Sequence, residues 1–261
     1  MTTPQPLVAV TLSRSELLLI SALLKAPALM GVEATTADEN QRALELLQAE
    51  HSLRARNAAA VDENGQLLIV RDLLGVVASC AYPQRSLVVY HTRADGVVLQ
   101  GFGHVRDEFL VVHTVINPEV HNLAQMPNLD RLIETVFQLS DYAANTAAVN
   151  LHVDISREKL VMARQLAEQG QTAQSADTLV RSGVTPTEAE LLVRMFSLPS
   201  TTTVFVTIQY SGSHAMAREY TLFKNELGSF LMTQTDLEVE RYQLKGIDYM
   251  GLGGLLYESL S

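Results

Sequence analysis

The spacing of apolar residues in the first eighty positions predicts three helices. The first begins at Ser13 and Glu16, which stand three residues apart as in a capping box. Thr36 and Glu39 repeat this spacing and begin a longer helix, in which apolar residues recur every three or four positions. The third helix, at about 72–82, is apolar on nearly every side, so we expect it to be buried.

The pattern changes from helical to extended after Pro83. Residues 86–92, 97–104 and 109–116 are rich in β-branched and aromatic residues and are separated by polar turns. This arrangement predicts a meander of three antiparallel strands. Apolar residues at helical spacing over 129–137 then predict a helix.

The second half of the chain repeats this order of elements. Helices are predicted at 157–169 and 176–182, and a third begins at Thr185-Pro186, where a capping residue precedes a proline at the first helical position. Strands follow, and a leucine-rich helix closes the chain. The three predicted strands cover residues 202–210, 217–223 and 229–235.

Short apolar phrases recur between the two halves. Pro83 and Pro199 end matching helices and stand 116 residues apart. Phe109 and Phe230 begin matching strands and stand 121 residues apart. Such a long period is unlike that of a solenoid repeat, so it indicates one structural unit used twice.

These patterns predict an α+β fold of two similar αα-βββ-α halves, residues 1–140 and 141–261, related by a pseudo-two-fold. We expect the halves to join into a central antiparallel sheet of about six strands flanked by helices. Residues 140–153 would connect them. The absence of a linker rich in Pro, Gly or Ser favours one fused body.

Composition narrows the class of protein. The 261 residues include 47% hydrophobic residues and carry a net charge of −10, which disfavours non-specific binding to nucleic acid. A single cysteine excludes an internal disulfide framework. No basic leader or run of about 20 apolar residues is present, so we expect a cytoplasmic protein without a membrane span. The excess of arginine over lysine suggests a bacterial source.

The histidines are the residues whose placement most suggests a catalytic or metal-binding site. His91, His104, His113 and His121 lie in the first meander or just beyond it, and imidazoles from neighbouring strands often build a metal or acid–base site. Without the strand register, however, the pattern leaves open whether they share a face. An HExxH motif is absent, and the residues matching His91 and His113 in the second half are Thr207 and Gln234.

Other candidates have structural interpretations that we favour. Cys80 lies in an apolar helix, where a thiol is inert. The glycines of 251–254 lack the lysine of a phosphate loop and indicate close helix packing. Residues 211–214 lack the nucleophile elbow and form a turn, and the carboxylates at 62–63 and 107–108 lie in turns. We therefore assign no catalytic, cofactor-binding or metal-binding residue.

Residues 14–70 also have the outline of a winged helix, because two helices precede an Asn64-Gly65 hairpin. The candidate recognition helix carries Arg42, Arg54 and Arg56. It also carries three glutamates and is close to neutral, whereas a helix that reads DNA is cationic. The glutamates are Glu39, Glu45 and Glu50.

The duplicated unit resembles the EspG family of cytosolic chaperones associated with type VII secretion. The resemblance rests on ALELLQAEHSLRAR, then an apolar helix, then YPQRSLVVYHTR, then paired strands and a striped helix, an order that occurs twice. It covers nearly all of the chain and implies a quasi-two-fold body with a central sheet and helical bundles. It also implies binding of the helical tip of secreted PE/PPE-type substrates.

The leading hypothesis is therefore a non-enzymatic chaperone or adaptor that binds a helical protein partner and needs no cofactor. Such a protein would use an exposed apolar surface, to which Met195, Met232 and Met250 are candidate contributors. Two alternatives stay open. One is a metal-dependent enzyme using His91, His104 and His113, and the other is a winged-helix regulator.

Overall fold

One antiparallel sheet of ten strands runs through the protein. The computed structural model describes residues 7–26, 28–33, 38–212, 214–236, 238 and 240–261. The elements are β1 Val8–Ser13, α1 Arg14–Leu23, α2 Glu39–Ala55, β2 Ala59–Val61, β3 Leu67–Ile69, α3 Arg71–Ala81, β4 Arg85–Thr92, β5 Val98–Arg106, β6 Phe109–Asn117, β7 Val120–Met126, α4 Leu129–Leu139, β8 His152–Ser156, α5 Arg157–Glu168, α6 Thr172–Arg181, α7 Pro186–Ser197, β9 Thr201–Ser211, β10 His214–Asn225, β11 Gly228–Asp236, β12 Arg241–Gly246 and α8 Tyr249–Leu260. The ten strands of the sheet lie in the order β1-β7-β6-β5-β4-β9-β10-β11-β12-β8.

Helices cover both faces of this sheet in three hydrophobic clusters. On one face, α4 and α8 pack over the centre of the sheet, against side chains such as Leu87 and Phe205. On the other face, α1 and α3 pack over β1, β6 and β7. The helices α5, α6 and α7 pack on that face over β8, β11 and β12. No helix within the described residues is long and apolar enough to cross a membrane.

Capping residues fix where several helices begin. Ser13 and Glu16 form the predicted capping box at the start of α1, with hydrogen bonds in both directions. The side chain of Thr185 caps α7, whose first residue is Pro186. The box expected at Thr36 lies outside the described residues, and Asp38 caps α2.

The α+β class and the helix-flanked antiparallel sheet are confirmed, but the strand count was wrong. Each half contributes five strands to the sheet, and the order of elements is β-ααα-ββββ-α if the small β2–β3 hairpin is set aside. The missed strands are β1, β7, β8 and β12. They are five to seven residues long and lack a long apolar run.

The strand order is the same when read outward from the central β4–β9 pair in either direction. Irregularities recur as well: the β6–β7 ladder shifts register between Val115 and Asn117, and the β11–β12 ladder shifts between Gln234 and Asp236. A β-bulge changes the course of a strand at one defined position, so its recurrence at the same ladder position indicates that the two hairpins have similar backbones. These observations support the pseudo-two-fold interpretation, which stays a prediction together with the boundaries 1–140 and 141–261.

The ladders correct one residue-level match between the halves. Phe109 is the first residue after the β5–β6 turn, and Gly228 holds that place after the β10–β11 turn. Counting from these turns, His113 corresponds to Met232 and not to Gln234. The sequence match was displaced by two residues. A shift of two preserves which side chains face the core, so the apolar pattern could not detect it.

Substitution of glycine by alanine tests the packing of the sheet against the connection between the halves. A Cβ at Gly246 would overlap the carbonyl oxygen of Val149, whereas one at Gly254 in α8 meets nothing within 4 Å. We expect Gly246→Ala to lower the free energy of unfolding by more than about 2 kcal/mol. Gly254→Ala, the matched control, should raise it by about 0.5–1 kcal/mol because alanine favours a helix. Urea unfolding of both variants measures the difference, and equal midpoints would contradict the predicted packing.

Candidate functional site

Three of the four meander histidines lie on one face of the sheet. His104 on β5, His113 on β6 and His121 on β7 point toward α1 and α3, on the same face as Val111 and Leu123. They are at most 2% exposed. His121 was the histidine placed just beyond the predicted strands, and the missed strand β7 brings it to the other two.

His91 lies on the opposite face. It shares the parity of Leu87 and Val89 on β4, which pack against α4 and α8. Its Nδ1 lies 2.8 Å from the Thr203 hydroxyl, and its Nε2 lies 3.8 Å from a carboxylate oxygen of Asp141. His91 and Thr203 are 1% and 2% exposed, so this Thr-His-Asp arrangement offers no accessible nucleophile. The Nδ1 contact joins β4 to β9, whereas Nε2 has no hydrogen-bond partner among the described residues.

The histidines on the first face form a stacked polar array. Nε2 of His113 lies 3.0 Å from Nδ1 of His121, and the Ser86 hydroxyl lies 3.0 Å from Nδ1 of His104. The Phe102 ring stacks with those of His113 and His104, at centroid distances of 5.1 Å and 6.1 Å. Nε2 of His104 and Nε2 of His121 have no hydrogen-bond partner among the described residues.

Burial keeps this array uncharged at neutral pH. Loss of hydration lowers the pKa of His104 to about 4. Burial lowers the pKa of His113 to about 3, helped by the neighbouring imidazoles of His104 and His121. Burial also lowers the pKa of His121, although the Pro118 backbone carbonyl and the Glu119 carboxylate act in the opposite direction. Neutral rings in a closed interior are poor candidates for acid–base catalysis on a substrate.

The geometry does not support the proposed metal site. His91 is separated from His104 and His113 by the sheet itself, and no group of three or more candidate ligands occurs in the part of the chain that the structure describes. The ring nitrogens of His113 and His121 that approach each other are joined by a hydrogen bond.

The remaining sequence candidates occupy structural positions. Cys80 is 4% exposed, and burial raises the pKa of its thiol. Asp62 accepts backbone hydrogen bonds from Asn64 and Gln66 in the β2–β3 turn. Gly253 faces Phe137 of α4 at ordinary contact distance, so close packing in α8 applies to this glycine and not to Gly254. The predicted turn at 211–214 includes Ser213, which lies outside the described residues.

Arginines on the winged-helix candidate are bound within the molecule. Arg54 pairs with Glu50 at 3.1 Å along α2. Arg56 pairs with the buried Glu16 at 2.7 Å and donates to the carbonyl oxygen of Thr11 on the edge strand β1. Two of the three cations offered for DNA thus have intramolecular partners, which weakens that alternative.

A groove of about 670 Å³ lies in the C-terminal half, between α6, α7 and the β10–β11 turn. Its apolar lining comes from Ala173, Ala176, Val193, Leu198 and Leu227. Charged and hydroxyl groups surround this lining. They belong to Thr172, Glu190, Arg194, Ser197 and Glu226. An apolar floor with a polar rim is typical of a surface that receives an apolar segment of another molecule.

The first half offers apolar surface of its own. Leu44 and Leu47 on α2 are both 48% exposed, because this helix buries only Ala49 and Leu53. The predicted methionine surface is only partly present: Met250 is 78% exposed, but Met195 is 2% exposed and belongs to the core.

No family model and no curated protein sequence matches the chain. Among solved structures, it matches the Mycobacterium tuberculosis type VII secretion system chaperone EspG5 in complex with the PE25-PPE41 dimer, with a TM-score of 0.68. The two chains share a fold. The match covers 97% of this chain and 95% of that chain at 13% sequence identity. The resemblance to the EspG family is therefore confirmed at the level of the fold.

Sequence reasoning did not find the groove. Its lining comes from two helices and a turn that are separated along the chain, and Val193 reads in the sequence as an ordinary core residue. The available signal was the apolar Leu227 between Glu226 and Gly228, in a short turn where a polar residue is usual.

Elemental analysis tests the metal-dependent alternative. Because His91 is on the far face and the facing nitrogens of His113 and His121 are joined by a hydrogen bond, we expect no stoichiometric metal in protein purified without chelators. His113→Ala should leave the metal content unchanged. One metal per chain that is lost in His113→Ala would contradict this expectation, and His152→Ala, at an exposed histidine, is the control.

Proposed function

We propose that this protein is a non-enzymatic, cytoplasmic chaperone or adaptor that binds a helical segment of a secreted protein. The observation that carries the proposal is the shared fold with EspG5, which is a type VII secretion chaperone and was solved in complex with a PE25-PPE41 dimer. A shared fold alone does not fix a function, so the surface of this chain must also suit the task.

The groove between α6, α7 and the β10–β11 turn supports binding of a protein segment. A helix docks by inserting apolar side chains from successive turns, and the floor of small and aliphatic residues offers room for them. Val193 is 6% exposed and anchors the floor, whereas Ala173 is exposed at the mouth. Covering this apolar lining would exclude water from the groove and favour association.

The rim supports an oriented complex. Glu190 and Arg194 are one turn apart on α7, and Glu226 lies across the groove on the β10–β11 turn. Charges at the edge of an interface contribute more to orientation and association rate than to affinity. A bound helix would therefore be selected by its apolar face and aligned by its flanking charges.

Affinity purification from the native host tests the proposal. The tagged full-length chain should recover a helix-rich secreted protein at a stoichiometric ratio, identified by mass spectrometry. A complex that persists through size-exclusion chromatography supports a chaperone or adaptor. A chain that elutes alone, while turning over a small molecule, would contradict the proposal.

A charge placed at the mouth of the groove tests the binding surface. Ala173→Arg should weaken partner binding by at least about tenfold, because the long side chain would occupy the mouth of the groove and the helix would have to displace it. Gln174→Arg adds the same charge at the neighbouring exposed position on α6 and should change affinity less than about threefold. Isothermal titration measures both variants. Equal affinities of the Ala173→Arg and Gln174→Arg variants would show that the partner does not bind in this groove.

A further inference from the structure

Three ionisable rings lie under only one of the two helical layers. His104, His113 and His121 are enclosed between the sheet and the layer of α1 and α3, beside the cluster that contains Val76, Val77 and Leu123. Under the layer of α5, α6 and α7, the buried polar side chains are hydroxyls such as Ser175 and Thr221, and none of the buried histidines lies there. The two helical layers therefore differ in the chemistry beneath them.

The ladders identify the residues that replace these histidines in the other half. Counting from the matched turns, Phe223 takes the place of His104, and Met232 takes the place of His113. Leu123 pairs with His113, and Leu244 pairs with Met232. His121 and Tyr242 each stand two residues before the leucine of their strand, so Tyr242 takes the place of His121. Phe223, Met232 and Tyr242 pack in the hydrophobic cluster under α5, α6 and α7. Apolar or aromatic side chains thus suit these positions in this fold.

We propose that His104, His113 and His121 form an acid-sensitive latch, which holds the α1–α3 layer on the sheet at neutral pH and releases it on acidification. The proposal does not depend on the identity of the partner. Neutral imidazoles stack and hydrogen-bond within the layer, whereas two protonated rings could not keep the 3.0 Å contact between His113 and His121. An imidazolium can donate but cannot accept a hydrogen bond.

The surrounding charges do not supply a counter-ion for a protonated ring. Arg14 of α1 pairs with Glu119 of the β6–β7 turn at 3.2 Å, and Glu16 of α1 pairs with Arg56 at 2.7 Å. Cys80 of α3 adds a neutral thiol, because burial raises its pKa. Within the described part of the chain, no carboxylate oxygen lies within 4.0 Å of a ring nitrogen of the three histidines. At His121, burial lowers the pKa more than the Pro118 carbonyl and the Glu119 carboxylate raise it, and Arg14 adds to the lowering.

The direction of the pH effect follows from proton binding in the open and closed states. An exposed histidine has a pKa of about 6.5, so an opened layer takes up protons below that pH. The closed layer does not, because burial lowers the pKa of His104 to about 4 and of His113 to about 3. Opening is therefore favoured as pH falls from 6.5 toward 4. Each histidine contributes up to about tenfold per pH unit to the opening equilibrium.

Native-state hydrogen exchange of the full chain, read by mass spectrometry, tests the latch. Between pH 7.5 and 5.5, protection factors of amides in α1 and α3 should fall by about tenfold for each of His104 and His113, after correction for intrinsic exchange rates. Amides in α5 and α7 should lose far less protection. An equal loss of protection in both layers would overturn the proposal, and this measurement needs only the wild-type protein.

The matched variants replace each histidine by the residue at the corresponding position of the second half. His104→Phe, His113→Met and His121→Tyr install the side chains found at the corresponding places under α5, α6 and α7, and the combined variant should lose the acid response of α1 and α3. His51→Gln removes an exposed histidine from α2 and should keep that response. A combined variant that folds and retains the wild-type pH dependence would overturn the proposal.

Discussion

The pairing of β4 with β9 is the contact on which the rest of the structure depends. It joins two five-stranded halves into one sheet, with Val89 opposite Phe205 at its middle. Both side chains are buried in the cluster that also holds Phe137 of α4 and Leu252 of α8. Separating the halves would expose the apolar centre of the molecule, so the seam and its two covering helices stabilise each other.

Much of the fold could be predicted from local signals. The capping box at Ser13 and the Thr185-Pro186 start gave helix boundaries because these residues satisfy backbone groups at fixed spacing. The strands β1 and β8 could not be predicted in this way. They are held at the sheet edges by partners more than eighty residues away, as Leu12 is by His121 and Val153 by Leu244. Pairing with such distant residues cannot be detected from the sequence of a short segment alone.

The candidate site was less predictable than the fold, for two different reasons. The histidines were visible, but their grouping depended on register, which placed His91 on one face and the three others on the opposite face. The groove was not visible, because Ala176, Val193 and Leu227 meet only after α6, α7 and the β10–β11 turn have assembled. A titratable group can be recognised in the sequence from its residue type. A docking surface made of ordinary aliphatic residues can be recognised only once the structure shows which of them lie together.

A sheet that spans the molecule supports both helical layers, and these layers offer different chemistry: an apolar groove in the α5–α7 layer and buried imidazoles beneath the α1–α3 layer. Hydrogen–deuterium exchange of the chain alone and with its co-purified partner tests the central claim that this scaffold holds another polypeptide. Protection that appears on binding should concentrate in α6, α7 and the β10–β11 turn. A stable complex that leaves all three unchanged would contradict the assignment of the groove.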